Sequence, residues 1–209
     1  MKTSGNTILI TGGGTGIGRA LAHAWHDAGN VVIVTGRTLA SLEETVAGRE
    51  GLHAMVLDVT DPAAIAAFAA QVVARFPALN VLVNNAGIMR YEEIGTARDL
   101  GDAQAMITTN LLGPIRMTDA LVDHLAGQAD AAIVNVSSGL AFVPLVIAPT
   151  YNATKAALHS YTQSLRVALA GKVEVIELAP PGVQPDITPG QATREGYLPL
   201  ATYIAQTMD

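Results

Sequence analysis

The sequence TILITGGGTGIG at residues 7–18 decides the fold of this chain. Its first five residues are apolar or β-branched, which predicts a short buried strand. The glycine-rich run that follows predicts a tight turn, and a helical pattern then extends from Ile17 to Ala28. A strand, a glycine-rich turn and a helix in this order are typical of the first unit of a parallel α/β sheet.

The spacing of the glycines predicts a dinucleotide cradle. Gly12 would permit the tight turn, Gly16 would let the backbone approach a pyrophosphate, and Gly18 would let the helix pack closely on the sheet. The helix N-terminus would offer free N–H groups and a positive dipole end to the phosphates. Thr15 lies in the same turn, but its side chain is not basic, so it supplies no positive charge to a phosphate. An ordinary glycine-rich turn is the alternative, and the flanking strand and helix favour the cradle.

The alternation of strands and helices continues along the chain. We expect strands at 7–11, 31–35, 52–57, 81–83, 131–136 and 173–178, and helices at 17–28, 39–47, 62–75, 102–125, 152–170 and near 200–208, with a bend near Gly113-Pro114. Six strands alternating with helices predict a Rossmann-type doubly wound parallel sheet in three α/β/α layers. No composition shift divides the chain, so we expect a single domain over residues 1–209.

The composition excludes several classes of protein. Hydrophobic residues make up 50% of the chain and charged residues 14%, so the chain can bury a large core and is not disordered. The net charge of −6 without basic runs argues against nucleic acid and membrane partners. There is no cysteine, and His23 and His26 lack a third ligand, so no metal site is expected. No signal peptide or long apolar run is present, which indicates a cytoplasmic protein.

The second strand ends in Gly36-Arg37-Thr38, where a dinucleotide site reads the ribose. An acid at this point favours NAD(H), whereas a cation can hold the 2′-phosphate of NADP(H). Arg37 therefore favours NADP(H), and NAD(H) stays possible if Arg37 only stacks on adenine. Asp58, followed by Val59, could accept a hydrogen bond from the adenine amine or could simply be a turn aspartate.

A phenol and an ammonium group lie four residues apart at a predicted helix start. Tyr151 and Lys155 would share one helix face, and the ammonium group would lower the tyrosine pKa towards working pH. Ser138 follows the fifth strand, at the sheet edge where open α/β sheets bind ligands. The alternative for the pair Tyr151 and Lys155 is a contact between neighbouring helical turns without function. Asn110 lies inside a predicted helix, where asparagine is unfavourable, so it has either a functional role or a structural bond at a kink.

These features together resemble the short-chain dehydrogenase/reductase family. The resemblance rests on the 11–18 loop, Asp58, the run Asn84-Asn85-Ala86-Gly87, Asn110, Ser138, the pair Tyr151-x3-Lys155 and Pro181-Gly182. The run ELAPPGV at 177–183 resembles the DltE-like oxidoreductases, a bacterial and fungal branch of the family.

The resemblance implies a role for each matching residue. Tyr151 would be the general acid in carbonyl reduction, Lys155 would lower its pKa and bind the nicotinamide ribose, and Ser138 would hold the substrate oxygen. Asn110 would bind a water in a proton relay. The implied cofactor contacts are Gly12, Thr15, Gly16, Ile17, Gly18, Arg37, Asp58, Val59, Asn84, Ala86, Gly87, Tyr151, Lys155, Pro181, Gly182 and Val183.

The C-terminal part departs from the family pattern. A threonine that usually contacts the nicotinamide carboxamide in the family is replaced by Pro185, and Thr188 is the candidate to take its place. Residues 184–206 would form a substrate lid. No β-rich run follows the sixth strand, so the family's seventh strand is expected to be missing, either in a shortened natural form or because the sequence is incomplete.

The segment 140–147 is almost wholly apolar and should border the substrate pocket. It suggests a hydrophobic ketone, aldehyde or secondary alcohol, unless the segment packs under its own domain or in a subunit contact. The predicted helices 102–125 and 152–170 carry apolar residues on more than one face, and the family implies a four-helix contact there. We therefore expect a homodimer or homotetramer.

We expect an NAD(P)-dependent oxidoreductase of the EC 1.1.1 type. The alternative is a nucleotide-binding redox sensor or scaffold without turnover, suggested by the missing carboxamide threonine and the short tail. A sugar-nucleotide epimerase or dehydratase shares the Tyr-x3-Lys pair, but it would need a C-terminal substrate domain for which this chain has no room.

Overall fold

A computed structural model describes residues 1–184, 187–188, 190–193 and 195–208. Six parallel strands form one sheet in the order β3-β2-β1-β4-β5-β6. The strands are β1 (Thr7–Thr11), β2 (Val31–Gly36), β3 (Leu52–Val56), β4 (Leu79–Asn84), β5 (Ala132–Val136) and β6 (Glu174–Leu178). The helices are α1 (Gly16–Asp27), α2 (Leu39–Val46), α3 (Pro62–Arg75), α4 (Gly101–Ile107), α5 (Gly113–Ala126), α6 (Pro149–Ala168) and α7 (Leu200–Met208).

The strand order confirms the predicted Rossmann-type doubly wound α/β fold. The direction of winding reverses between β1 and β4, and open sheets of this kind bind ligands in the crevice at that point. The turn after β1 and the turn after β4 therefore lie next to each other at the carboxyl edge of the sheet. The described residues form six strands in this sheet.

Both faces of the sheet are buried, which explains why its strands read as continuous apolar runs. Leu9 and Ile33 belong to one core cluster, together with residues of α3 and α5. Ile8 and Ile10 belong to a second cluster on the opposite face, together with residues of α1 and α2. The alternation of side chains along each strand thus supplies two cores, as a three-layer α/β/α arrangement requires.

The long helix expected over 102–125 is divided into three parts. Between α4 and α5 the backbone widens into a π-helical turn over Thr108–Leu112, and α5 starts at Gly113. A Cβ on Gly113 would lie 3.3 Å from a methyl carbon of Val59, so a larger residue would press on the turn after β3. The predicted bend near Gly113-Pro114 thus coincides with a change of helix type.

Helix α6 starts earlier than the sequence pattern predicts. Its first residue is Pro149 rather than Asn152. Proline is favoured in the first helical turn because a backbone N–H at that position would have no acceptor within the helix. Tyr151 consequently lies inside the first helical turn.

Candidate active site

A cleft of about 900 Å³ opens at the carboxyl edge of the sheet. Its volume is in the upper part of the range, about 300–1,000 Å³, that is usual for sites of small molecules and cofactors. The turns after β1, β2, β3, β4 and β5 line it, together with the start of α6 and residues 180–183. All the loops that carried predicted site residues therefore meet in one place.

The glycine turn has the geometry of a phosphate cradle. Gly12 and Gly16 have positive φ angles of 67° and 54°, which favour glycine. A Cβ on Gly12 would lie 2.9 Å from the Cα of Ala86, so glycine lets the turns after β1 and β4 approach each other. No side chain caps the N-terminus of α1, and Thr15, Gly16 and Ile17 line the cleft at that point. The free N–H end of α1 is thus open to an anion.

Gly18 serves a closer contact than the sequence suggested. A Cβ there would lie 2.2 Å from the carbonyl oxygen of Gly12 and 2.5 Å from Nδ2 of Asn85. The glycine is therefore required for packing against the turn itself, whereas the sequence pattern predicts packing against the sheet.

Two residues that sequence reasoning missed hold the turns together. The hydroxyl of Thr11 accepts hydrogen bonds from the backbone N–H groups of Asn85, at 3.0 Å, and Ala86, at 3.1 Å. The side-chain amide of Asn85 donates to the carbonyl oxygens of Thr11, at 2.9 Å, and Gly12, at 3.2 Å. A threonine at the end of β1 and two successive asparagines after β4 were the available signal.

Asn84 lies outside the cleft, in contrast to the expected cofactor contact. Its side chain is buried and donates to Oδ1 of Asn135 at 2.9 Å, while Asn135 donates to the hydroxyl of Thr162 at 2.9 Å. Consecutive residues of a strand point to opposite faces, so Asn84 joins this interior network and Asn85 reaches the cleft. Ala86 and Gly87 also line the cleft, as expected.

Arg37 lies exposed at the cleft rim. Within the part of the chain that the structure describes, its guanidinium group makes no hydrogen bond or ion pair, so its five donors are available to a ligand. Asp58 and Val59 line the same end of the cleft. One oxygen of Asp58 accepts from the backbone N–H of Thr60 at 2.9 Å and from its hydroxyl at 2.8 Å, as in the turn aspartate that the sequence left open.

Ser138, Tyr151 and Lys155 converge in the interior of the cleft, and all three are buried. The side chain of Ser138 interacts with the Tyr151 hydroxyl and lowers the pKa of this phenol. The Lys155 ammonium group donates to the carbonyl oxygen of Val136 at 2.8 Å and lies 5.7 Å from the centroid of the Tyr151 ring. A phenol, a hydroxyl and an ammonium group thus face one space.

Burial is the largest cause of the pKa shifts of Tyr151 and Lys155. It lowers the pKa of Lys155 to about 8, because a charged amine is disfavoured away from water. Burial also raises the pKa of Tyr151, and the hydrogen bond with Ser138 only partly offsets that effect. The net direction of the Tyr151 pKa is thus opposite to the lowered pKa that the sequence predicts. A tyrosine with a raised pKa is protonated at neutral pH, which is the form that donates a proton.

Asn110 lies in the π-helical turn and is completely buried. Its amide donates to the carbonyl oxygen of Ile88 at 2.8 Å, and its Oδ1 accepts from the backbone N–H of Ile88 at 2.9 Å. It also donates to the hydroxyl of Thr154 at 3.3 Å. The side chain therefore makes the structural bonds that the sequence offered as the alternative to a water site.

The cleft closes against the segment after β6. Pro181, Gly182 and Val183 line it, and a Cβ on Gly182 would lie 3.0 Å from the ring of Tyr197. Pro185, the position of the missing carboxamide threonine, lies outside the described residues. Thr188 is buried, and its hydroxyl bonds Oε1 of Gln191 at 3.1 Å and the Tyr91 hydroxyl at 3.2 Å.

The expected lid over 184–206 includes two kinds of structure. Gln191, in a short 3-10 turn, lines the cleft and donates to the carbonyl oxygen of Val183 at 2.7 Å. In α7, by contrast, Ile204 packs against the core cluster that contains Leu21 and Trp25 of α1. The last part of the predicted lid therefore belongs to the body of the fold.

The apolar segment 140–147 borders the cleft, as predicted. Leu140, Val143 and Leu145 line it, together with Met89 from the loop after β4. Val143 is largely exposed, whereas Leu140 and Leu145 pack against the buried cluster that contains Met89 and Tyr151, so only part of the segment packs on its own domain. The cleft therefore has an apolar wall next to Tyr151.

Two features are absent from the described residues. Residues 1–184, 187–188, 190–193 and 195–208 contain no group of three or more His, Asp or Glu side chains that could hold a metal ion. Across the same described residues, no helix has the length and apolar character needed to cross a membrane.

The fold and the cleft define a doubly wound α/β protein with a dinucleotide-type glycine turn and a Ser-Tyr-Lys group. The sequence profile of the short chain dehydrogenase family matches residues 6–196. The chain therefore belongs to the short-chain dehydrogenase/reductase family, whose members are oxidoreductases.

Known proteins resemble the chain over nearly its whole length. An uncharacterized oxidoreductase named DltE from Bacillus subtilis (strain 168) is 42% identical over 199 residues, which cover 94% of this chain and 79% of the relative. A short chain dehydrogenase from Burkholderia cenocepacia in complex with NADP is 26% identical, with a TM-score of 0.87 and coverage of 100% of this chain and 84% of that chain. A 3-ketoacyl-(acyl-carrier-protein) reductase from Brucella melitensis complexed with NADH is 26% identical, with a TM-score of 0.88 and coverage of 99% and 90%. The likeness to DltE agrees with the predicted DltE-like branch.

Proposed function

We propose that this chain is an NADP(H)-preferring oxidoreductase that interconverts an apolar ketone or aldehyde and the corresponding alcohol. The observation that carries the proposal is the convergence of Ser138, Tyr151 and Lys155 in the cleft that also contains the glycine turn. The whole chain, residues 1–209, would act as one domain. Its segment 184–206, apart from the packed helix α7, would close over the substrate.

The cleft fits a nicotinamide dinucleotide. The glycine turn brings the uncapped end of α1 to the cleft, and a Cβ at Gly12 or Gly18 would fill space that the turn needs. Arg37 would hold the 2′-phosphate of NADP(H) because its donors are unused among the described residues. Related structures contain NADP in one case and NADH in another, so NAD(H) is the second candidate. When bound, the nicotinamide supplies the hydride.

The side chains supply position and the proton. Ser138 would donate a hydrogen bond to the substrate oxygen, and Tyr151, protonated because of its raised pKa, would give that oxygen its proton. Lys155 would return a proton towards Tyr151, and its pKa of about 8 allows it to exchange protons near neutral pH. Asn110 would support this group indirectly, by fixing Ile88 at the cleft wall.

The apolar wall indicates the class of substrate. Leu140, Val143 and Leu145 would bind a hydrocarbon group next to the reacting carbonyl. At the cleft rim, Nε of the half-exposed Arg90 lies 3.8 Å from Oδ1 of Asp102. The negative charge of Asp102 partly offsets the positive charge of Arg90, so Arg90 is a weaker binding group for an anionic substrate. An apolar ketone or aldehyde is therefore the better candidate.

We also propose that the protein is a homodimer or homotetramer. Ile107 of α4 and Val167 of α6 are exposed apolar residues on helices that the two-fold contact would use. Light scattering should then give a mass of at least twice 21.6 kDa. A species of 21.6 kDa alone would refute this part of the proposal.

The test is consumption of NADPH and of NADH with a panel of carbonyl compounds that differ in polarity. We expect turnover with apolar ketones or aldehydes and a kcat/KM at least about 10-fold higher with NADPH, as one charge-assisted phosphate contact can supply. Preference for NADH would contradict the role of Arg37. Tight binding of both cofactors without turnover across the panel would favour the redox sensor or scaffold instead.

A further inference from the structure

Glu92 is a buried carboxylate on a loop that is otherwise mostly exposed. The loop connects β4 to α4, and its residues 93–97 are all exposed, yet the side chain of Glu92 is only 4% exposed. A carboxylate is removed from water at a high cost unless hydrogen-bond donors surround it. The partners of Glu92 therefore indicate why it is buried there.

Both carboxylate oxygens of Glu92 bind the first turn of α6. Oε2 accepts from the backbone N–H of Thr150 at 2.9 Å, and Oε1 accepts from the Thr150 hydroxyl at 2.8 Å. Oε1 also accepts from the guanidinium group of Arg98 at 2.8 Å. The backbone N–H of Glu92 donates to the carbonyl oxygen of Ile147 at 2.9 Å. Three of these hydrogen bonds thus join the loop to residues 147–150 at the start of α6, and the fourth, from Arg98, holds the Glu92 carboxylate within the loop.

The helix α6 needs such a partner because it has no cap of its own. Its N-cap residue is Ala148, whose side chain has no oxygen, and no local side chain caps the helix. Glu92 replaces the missing cap from a distant point in the sequence. Its negative charge also lies at the positive end of the helix dipole, where a carboxylate is stabilising.

We propose that Glu92 is a positioning residue for Tyr151. Thr150 directly precedes Tyr151, so the two bonds from Glu92 fix the helical turn that carries the proton donor. The same loop carries Met89, which lines the substrate side of the cleft. Glu92 therefore sets the separation between the apolar wall and the Tyr151 hydroxyl. This inference rests on the proposed function, because it assumes that Tyr151 gives a proton to a bound substrate.

A simple surface ion pair is the competing explanation. Pairs of exposed charges contribute little to stability, and Arg98 is 26% exposed. An ion pair with Arg98 alone would not require contact with Thr150, however, and it would leave the position of α6 unaffected. The two explanations therefore differ in whether the loss of Glu92 changes α6 and kcat.

Amide hydrogen exchange tests the cap without any reference to activity. In Glu92→Ala, we expect exchange at least about 10-fold faster in the first turn of α6, since Thr150 loses its acceptor. The matched control is Glu93→Ala, which removes the neighbouring exposed glutamate of the same loop. The control should leave exchange in α6 as in the wild type.

Steady-state kinetics tests positioning. For Glu92→Ala we expect kcat, counted per NADPH-binding site, to fall by about 10-fold to 100-fold, because small displacements of a reacting group reduce rates by such factors. The KM for NADPH should change less than about 3-fold, since Glu92 is not among the residues that line the cleft. Glu92→Gln retains one acceptor oxygen and should give a smaller loss, which provides a second variant if Glu92→Ala does not fold.

Several outcomes would overturn the proposal. Folded Glu92→Ala or Glu92→Gln with unchanged kcat would do so, as would exchange in α6 equal to that of Glu93→Ala. An equal loss of kcat in Glu93→Ala would show a general effect of the loop. If the wild type has no turnover with any carbonyl, the proposed function fails and the catalytic role of Glu92 fails with it, while the exchange data still show whether Glu92 caps α6.

Discussion

Gly18→Ala is a sharp test of the glycine cradle because two physical effects predict opposite results. Gly18 lies in the first turn of α1, and alanine is favoured over glycine inside a helix by about 1 kcal/mol. Helix propensity alone therefore predicts a more stable protein. The structure predicts the reverse, since a Cβ at this position would lie 2.2 Å from the Gly12 carbonyl oxygen.

The size of the effect follows from that contact. Contacts of a Cβ are essentially never below 3.0 Å, so α1 or the Gly12 peptide must move by 0.8 Å or more. Both are backbone, and Asn85 blocks a second direction at 2.5 Å. Overpacking costs up to about 3 kcal/mol. After the gain in helix propensity, the free energy of unfolding should fall by about 2 kcal/mol, which lowers Tm by about 4–8 °C in a chain of this size.

Thermal unfolding and NADPH fluorescence titration measure the two consequences. NADPH affinity should fall by at least about 10-fold because the shift moves the N–H groups of the cradle. Gly95→Ala is the matched control, since a Cβ there would meet nothing within 4 Å. A Gly18→Ala protein with the Tm and NADPH affinity of the wild type would refute the account of the cradle.

Three further predictions concern charge, pH and the interior. Arg37→Gln should raise the Kd for NADPH by about 10-fold to 100-fold while leaving the Kd for NADH within about 2-fold, as measured by fluorescence titration. An equal change of the two Kd values would contradict the proposed contact between Arg37 and the 2′-phosphate. Between its folded pKa of about 8 and its ordinary value of 10.5, Lys155 is mostly deprotonated in the folded state and mostly protonated in the unfolded state. The unfolded state therefore binds more protons, and the stability of the folded state rises with pH in that window. Relative to Lys155→Met, the free energy of unfolding of the wild type in urea should therefore increase by about 1–2 kcal/mol from pH 8 to 9.5, and a constant difference would contradict the pKa. Asn84→Ala should lower the free energy of unfolding by about 1–3 kcal/mol, because Asn135 loses a buried donor, with the NADPH Kd within about 2-fold; a large loss of affinity would restore Asn84 to the cofactor site.

Local sequence patterns were sufficient for the sheet and for most of the cleft. The alternation of apolar runs with helical patterns predicted all six strands, because strands buried on both faces are apolar throughout. The glycine turn and the pair Tyr151 and Lys155 line one cleft at the predicted sheet edge, since each depends on a short stretch whose geometry is regular.

The failures concern contacts between distant segments. The sequence does not show which of Asn84 and Asn85 faces the cleft, because the register of β4 at the sheet edge decides it. The start of α6 was misplaced because its cap, Glu92, comes from another loop. The sequence predicts a lowered pKa for Tyr151, whereas burial, which depends on the whole fold, raises this pKa and outweighs the opposing hydrogen bond with Ser138.

The most direct test of the central claim compares the wild type with Tyr151→Phe in NADPH-dependent reduction of an apolar ketone or aldehyde. The substitution keeps the buried ring and removes only the hydroxyl group. We predict that the variant binds NADPH with an unchanged Kd and that its kcat falls by about 10²-fold to 10⁴-fold, the usual contribution of a general acid. A variant that retains the full kcat of the wild type would contradict the assignment of Tyr151 as the proton donor.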